Sequence, residues 1–486
     1  LLLFVGGEKL FELDKTDLLI IIQTLANMMI LLGVALLLPS LIAHYSNETI
    51  FFQTFVTTAL ITIIIGILAK KLIKPKKALM KHAIISIALG WFLFGAISAI
   101  PFLFLGLNPI DAFFESISGL TGTGITIIPN LEVLPSSILF WRGLIQWLGG
   151  FGIVVMALLI YEKPETAMNL FSAEGRNEDF FPNIKKIARM IVAIYFLYTF
   201  IGIILYLISG MNLFDATIHS FTSIATGGFS TKNNGIGFFG FGAAIVTIIL
   251  TVLGGISFES HYSLLTGKFK KFIKNPELKF FFLIVIIATI LIFINTYFSN
   301  ENTYFESFFY VISSLTSTGT IFGLDLSTLP ALTIFIIIIL MAIGASYGST
   351  SGGLKLWRIL ILYQVVKREI HRAFLPQKAV TPIMLGGKIV SEEKALKALS
   401  YISLYLAFIL AGSIIFMYAG FGLIDSIFTV VSAIGNNGLL TISQKSILLM
   451  EPPLKILLTL IMIVGRMEIV PFLVLLKSTG IGSKIR

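Results

Sequence analysis

The chain has 486 residues, of which 56% are hydrophobic and only 12% charged, and its mean hydropathy is +0.96. A soluble chain carries about twice that charge, so a soluble globular protein is excluded. The net charge is +10, yet the basic residues fall mostly in loops between apolar runs, which membrane topology explains better than nucleic-acid binding. There is no cysteine, which excludes disulfides, thiolate metal sites and cysteine catalysis.

Apolar runs of about 18 or more residues recur along nearly the whole chain, the mark of an all-α polytopic membrane protein. A signal peptide is the poorer reading, because the runs do not stop after the first. The chain opens at Leu1 rather than Met, so a few residues are expected to precede it. In chain order the expected spans are 18–44, 51–69, 83–107, 135–161, 187–208, 240–265, 279–298, 331–366 (interrupted), 400–420 and 453–476, ten in all. The loops between them sort by charge. Residues 70–81 carry six lysines and no acid, and 267–279 carry five lysines and one acid. Residues 367–397 carry seven basic residues against three acids, and the tail adds Lys477, Lys484 and Arg486. These segments share one face if every span crosses once, and the other face has only Lys232 and Lys445. The positive-inside rule then puts both termini in the cytoplasm. The loop 162–189 is charge-balanced and does not discriminate.

Between outgoing and returning spans, one pattern occurs four times: DAFFESISGLTGTG from Asp111, DATIHSFTSIATGG from Asp215, ESFFYVISSLTSTG from Glu306 and DSIFTVVSAIGNNG from Asp425. Each opens on an acid and reaches a Gly thirteen residues later, at Gly124, Gly228, Gly319 and Gly438. The stretch from acid to small-residue loop is about ten residues, or about 15 Å as a helix, too short to span. It fits a re-entrant hairpin, a short descending helix followed by an extended return. Irregular backbone at membrane depth is tolerated only inside protein or along water. Four such hairpins around one axis offer carbonyls in place of a cation's water shell, with helix C-termini adding partial negative charge. The acids suit a helix N-terminus and its cap. The alternative, ordinary loops with turn residues, does not explain four copies in phase.

The span 331–366 is broken by GASYGSTSGG, Gly344 to Gly353. Only thirteen residues precede the break, about 20 Å of helix, so the break lies within the membrane. The alternative is a helix terminus followed by an amphipathic surface helix. Arg466 lies about 20 Å along the last span, where a charge must face a cavity or a partner. Glu468 would not share its helical face. Arg142, about 10 Å into its span, is expected to brace a pore helix rather than touch an ion. Glu259 and His261 read as a satisfied structural pair, and the aromatic run from Trp91 to Gly95 as packing. No catalytic constellation, metal-ligand pair or GxxxxGK[ST] motif occurs, so neither an enzyme nor a cofactor is expected.

The motifs SGLTGTG, TSIATGGFST, SSLTSTG and SAIGNNG, with their span–pore helix–span setting, resemble the Trk/Ktr/HKT superfamily of potassium transporters. The two extra N-terminal spans resemble its TrkH type. The resemblance implies four pseudo-symmetric repeats around a central pore: 79–162, 185–268, 278–372 with an intramembrane gating loop, and 394–486 with a cytoplasmic tail, after an N-terminal unit at 1–78. It implies a potassium filter formed by Gly122, Thr123 and Gly124, by Thr226, Gly227 and Gly228, by Ser317, Thr318 and Gly319, and by Asn436, Asn437 and Gly438. Asn437 departs from the family pattern. In the plant members Ser in place of the first repeat's Gly goes with sodium preference, so Gly124 implies potassium. The family's gating loop falls on Gly344, Gly348, Ser349, Thr350, Ser351, Gly352 and Gly353, and its pore arginine on Arg466, an electrostatic barrier able to hold the loop by its carbonyls. The resemblance further implies a homodimer in the cell membrane and a cytoplasmic nucleotide-binding regulatory subunit of TrkA type. The rival readings are a sodium-permeable or poorly selective relative and a secondary transporter for an organic solute.

Overall fold

Asp14 opens the first helix: its carboxylate accepts from the Asp17 amide at 2.6 Å while the Asp17 side chain accepts from the Asp14 amide, a reciprocal cap. From there the computed structural model describes residues 14–73, 79–151, 184–297, 304–323, 326–376 and 381–478. α1 (Lys15–Tyr45) and α2 (Thr49–Leu72) form an antiparallel pair. They touch through small residues, because a side chain added at Gly33 would lie 3.0 Å from the Ala59 carbonyl and one at Gly66 would lie 2.9 Å from that of Ala26. The turn between them docks on the rest of the chain through Glu48, which accepts from the Ser136 and Ser137 amides at 2.7 and 3.2 Å.

A four-beat pattern follows. α3 (Met80–Phe104) leads to a short helix α4 (Pro109–Leu120) and returns through α5 (Ser136–Phe151). α6 (Ile184–Ile208), short α7 (Leu213–Ile224) and α8 (Gly240–Gly255) repeat it, followed by α9 (Phe258–Leu265) and α10 (Phe269–Ile273). α11 (Pro276–Tyr297), short α12 (Tyr304–Leu315) and α13 (Ala331–Ile343) form the third copy, and α14 (Leu356–Arg372) leads to a small hairpin of β1 (Ile383–Leu385) and β2 (Lys388–Val390). α15 (Glu392–Tyr418), short α16 (Leu423–Ile434), α17 (Gln444–Leu448), α18 (Pro452–Arg466) and α19 (Ile469–Ser478) complete the chain. The described part is thus an all-α polytopic protein, with seven helices long and apolar enough to cross a membrane.

The expected spans 18–44, 51–69, 83–107, 187–208, 279–298 and 400–420 each fall on one helix. The ends expected at 161 and 298, the lysines at 74, 76, 77 and 484, Arg486 and most of the loop 162–189 lie outside the described residues. The break expected after residue 343 is present, with α13 ending at Ile343.

Two expected spans are corrected. The span 240–265 is not continuous: α8 stops at Gly255, and Ser257 caps α9 by accepting from the Ser260 amide. Its last carbonyls are taken by another segment, Gly254 accepting from the Thr350 amide at 3.1 Å and Gly255 from that of Ser346 at 3.0 Å. The span 453–476 also stops short. α18 ends at Arg466, the chain turns by 115°, and Glu468 adopts φ 63° before α19.

Candidate functional site: four loops in a ring

Each short helix has twelve residues, about 18 Å, and is buried along nearly its whole length. The acid is its third residue in every copy. The expectation that the acid is itself the cap is refined, because Asn108 and Asn212 occupy the cap and accept from the Asp111 and Asp215 amides. The acids hold other elements instead. Asp215 and Asp425 accept from the Thr231 and Thr441 hydroxyls, each at 2.6 Å, on the rising limb of their own loops. Asp111 forms a buried ion pair with Lys455 at 2.7 Å, tying the first hairpin to α18.

The four helices end alike. The Thr123, Gly227, Thr318 and Asn437 amides fold back to the carbonyls of Ser118, Thr222, Ser313 and Ser432 at 2.8–2.9 Å. The Gly122, Thr226, Ser317 and Asn436 amides reach those of Gly119, Ser223, Ser314 and Ala433. This is the Schellman closure, which requires a left-handed residue after the cap. Gly122 has φ 70°, and Thr226, Ser317 and Asn436 have φ of 52°, 50° and 50°. A non-glycine residue there costs about 1–3 kcal/mol and persists only where its surroundings over-determine it.

Two residues on, Gly124, Gly228, Gly319 and Gly438 again have positive φ, and their surroundings define a ring. A Cβ at Gly124 would lie 2.4 Å from the Gly227 carbonyl oxygen of the second loop. One at Gly228 would lie 2.1 Å from that of Thr318, one at Gly319 1.7 Å from that of Asn437, and one at Gly438 2.1 Å from that of Thr123. The contacts run from the first loop to the second, third, fourth and back to the first. Four loops can close such a cycle only around a common centre. All twelve residues expected from the sequence therefore meet at one place.

Two residues that brace the ring, Gln146 and Glu115, were not singled out from the sequence. Gln146 of α5 donates to the Gly227 carbonyl and accepts from the Phe229 amide at 3.0 Å. Glu115 is fully buried and accepts from the Ile127 amide, the Thr126 hydroxyl and Arg142. Arg142 also donates to the Ser230 carbonyl at 3.1 Å and lies over the Phe229 ring, so it links the first short helix to the second loop. Asn437 donates to the Ser314 carbonyl at 2.9 Å, which gives its departure from the other loops a structural purpose. The signal for Gln146 and Glu115 was their polarity within apolar, membrane-depth segments.

The segment 344–355 lies against the same helix ends. Its two limbs meet where a Cβ on Gly353 would lie 2.8 Å from the Gly344 Cα. The Thr350 hydroxyl donates to the Gly254 and Ile224 carbonyls at 2.9 and 3.1 Å and lies 3.2 Å from that of Thr226. The Ser351 hydroxyl lies 2.5 Å from that of Ser317, which also accepts from the Gly352 amide at 2.7 Å. Gly352 has no room for a side chain, its Cβ position being 2.1 Å from the Gly435 carbonyl. Gly348, at φ 72°, lies at the tip with space beside its Cα, and Ser349 donates to the Ser346 carbonyl. The segment thus touches the second, third and fourth loops. Arg466 closes the remaining side, donating to the Thr350 carbonyl at 2.7 Å and to that of Gly149, at the end of α5, at 2.6 Å. A cavity of about 70 Å³ remains beside Asn436, Ser351, Lys355, Arg466 and Glu468. Glu468 itself pairs with Arg358 at 2.7 Å, away from Arg466.

The expected pairing of Glu259 with His261 is corrected. Glu259 pairs with Lys271 at 2.8 Å, whereas the His261 ring lies within hydrogen-bond distance of the Tyr198 hydroxyl and the Leu253 carbonyl. Both are satisfied, by different partners, because adjacent α9 faces point them apart.

A family model described as TrkH, cation transport protein, matches residues 51–479. An uncharacterized cation transporter of Methanocaldococcus jannaschii is 35% identical over 469 residues, 96% of each chain. The Trk system potassium uptake protein TrkH of Escherichia coli K12 is 32% identical over 474 residues, which cover 93% of this chain and 97% of that one. The crystal structure of the potassium transporter TrkH from Vibrio parahaemolyticus superposes with a TM-score of 0.83 at 26% identity, covering 94% of this chain and 98% of that one.

Proposed function

The chain belongs to the TrkH family of cation transport proteins, transporters rather than enzymes, and on that premise we propose that it takes up potassium through the ring of four loops. The observation that carries the proposal is the closed cycle of glycine–carbonyl contacts. A cation crossing apolar protein must exchange its water shell for oxygen ligands. The backbone carbonyls of the four loops, at Gly122–Gly124 and their three counterparts, offer that shell at membrane depth. The names of the relatives favour potassium, and Gly124 in the first loop argues against the sodium-preferring alternative. Four half-length hairpins argue against an organic-solute carrier, which predicts discontinuous spanning helices in two repeats.

In this reading ions enter at the ring from outside and leave toward the lysine-rich cytoplasmic face, with both termini on that face in the cell membrane. The interior-negative potential contributes about 2.3 kcal/mol per charge per 100 mV, so uptake proceeds down the electrochemical gradient. The segment 344–355 is the gate, with Gly344, Gly348 and Gly353 its conformational freedom and Ser349, Thr350, Ser351 and Gly352 its contact with the pore side. Arg466 acts as a cationic barrier and as the latch on Thr350. A homodimer with a nucleotide-binding subunit of TrkA type on the basic face completes the proposal.

The test is tracer rubidium uptake into proteoliposomes loaded with potassium. Uptake suppressed by external potassium and not by sodium supports the reading. An absence of uptake even after deletion of 345–352, with the fold intact, overturns it.

A further inference from the structure

A cavity of about 400 Å³, within the range of small-ligand sites, lies between α6, α9, α10, the start of α11 and the β1–β2 hairpin. Its inner wall is apolar and aromatic, with Ile191, Phe258 and Trp357. Its lip carries Lys271, Lys274 and Lys388. Its floor is Tyr347 and Gly348 of the segment 344–355. The two carboxylates that line it are both engaged, Glu259 with Lys271 at 2.8 Å and Glu277 with the Tyr347 amide at 2.7 Å. Three lysines against two carboxylates leave the lip cationic.

The surface beside the cavity indicates what reaches it. α10, of sequence FKKFI, exposes Phe269 and Ile273 while Lys270 and Lys271 stand between them. Apolar side chains flanking a pair of lysines on a short helix suit the boundary between acyl chains and headgroups. α11, an apolar span, starts at Pro276, so the cavity opens at the level of that boundary. Basic pockets between membrane helices are recognised by anionic lipid headgroups.

We propose that this cavity binds the phosphate headgroup of an anionic phospholipid and that occupancy restrains the segment 344–355. The route is short: the Phe258 amide donates to the Gly348 carbonyl at 3.2 Å, and Glu277 holds the Tyr347 amide. A headgroup that ties α9, α10 and the hairpin together fixes both attachments. Lipid binding stands independently, whereas an effect on transport rests on the reading of 344–355 as the gate.

The test places the whole protein in nanodiscs of phosphatidylcholine alone or with about one quarter phosphatidylglycerol. Two quantities are read: phosphatidylglycerol retained after purification, by native mass spectrometry, and hydrogen exchange of the 344–355 amides. Phosphatidylglycerol is expected to slow exchange at Tyr347 and Gly348 by about fivefold or more. The doubly substituted variant Lys274→Gln, Lys388→Gln, at two exposed positions, is expected to lose both the retained lipid and the slowing. Equal retention by the variant, or exchange indifferent to phosphatidylglycerol, overturns the proposal. Equal slowing by inorganic phosphate or glycerol phosphate in phosphatidylcholine discs assigns the site to a soluble anion and overturns the lipid source. If the wild type retains lipid but rubidium does not pass even after deletion of 345–352, with the fold intact, the gate reading fails while the lipid site stands.

Discussion

Gly122 and Gly124 both sit at positive φ, and only one of them lacks room for a side chain. A Cβ at Gly122 meets nothing nearer than 3.9 Å, whereas one at Gly124 would lie 2.4 Å from the Gly227 carbonyl oxygen. The counterparts of Gly122 are Thr226, Ser317 and Asn436, so the backbone there accepts a side chain. Gly122→Asn is therefore expected to conduct with near wild-type selectivity. Gly124→Ser must push a carbonyl out of the ring, and is expected to reduce potassium-over-sodium discrimination by about tenfold, equivalent to about 1.4 kcal/mol. The measurement is sodium competition against rubidium uptake for the two variants side by side. Equal behaviour would detach selectivity from the ring of contacts. The spacing from acid to glycine revealed this distinction in part, because it is a local pattern that recurs four times. The identity of the neighbouring carbonyl was not legible, since it comes from a different hairpin about a hundred residues away.

At the scale of elements, the segment 344–355 is held by groups from two helices that stop early to reach it. α8 ends at Gly255 so that the Gly254 and Gly255 carbonyls accept from the segment, and α18 ends at Arg466, whose guanidinium spans from Thr350 to Gly149. The break before Gly344 was legible because thirteen residues of apolar pattern run into a cluster of glycines. The other two breaks were not. Residues 240–265 and 453–476 are continuous apolar stretches, and what ends them is tertiary hydrogen bonding to a third segment, which hydropathy does not record. Arg466→Ala removes the charge-assisted bond to Thr350, contributing about 1.5–3 kcal/mol, and with it the bridge from the segment to Gly149 of α5. If the seated position is the closed gate, basal rubidium uptake rises tenfold or more in proteoliposomes without a partner subunit. Unchanged or reduced uptake, with the fold intact by circular dichroism, would sink the latch role of Arg466.

The whole molecule is electrically lopsided, and the proposed orientation rests on that asymmetry. Among the described residues, the end away from the ring carries Lys70, Lys71 and Lys81, the lysines of 267–279 and the basic residues of 367–376 and 381–397, whereas the end at the ring has Lys232 and Lys445. Clustered lysines beside a span resist translocation, so the orientation we propose keeps the lysine-rich end in the cytoplasm. In that proposed orientation the ring faces outward and the proposed transport is inward. The absence of cysteine allows a clean test, because each single substitution reports its own position without background. Lys274 and Lys445 are both exposed and lie at opposite ends of the bundle, one on the rim of the large cavity and the other in α17, next to the Gln444 that donates to the Ile128 carbonyl of the first loop. In intact cells a membrane-impermeant maleimide is expected to label Lys445→Cys and to spare Lys274→Cys until the membrane is permeabilised. The reverse pattern inverts the protein in its membrane. It would turn the ring toward the cytoplasm, so that the same four loops would receive ions leaving the cell, and the inward direction of the proposed uptake would have to be abandoned.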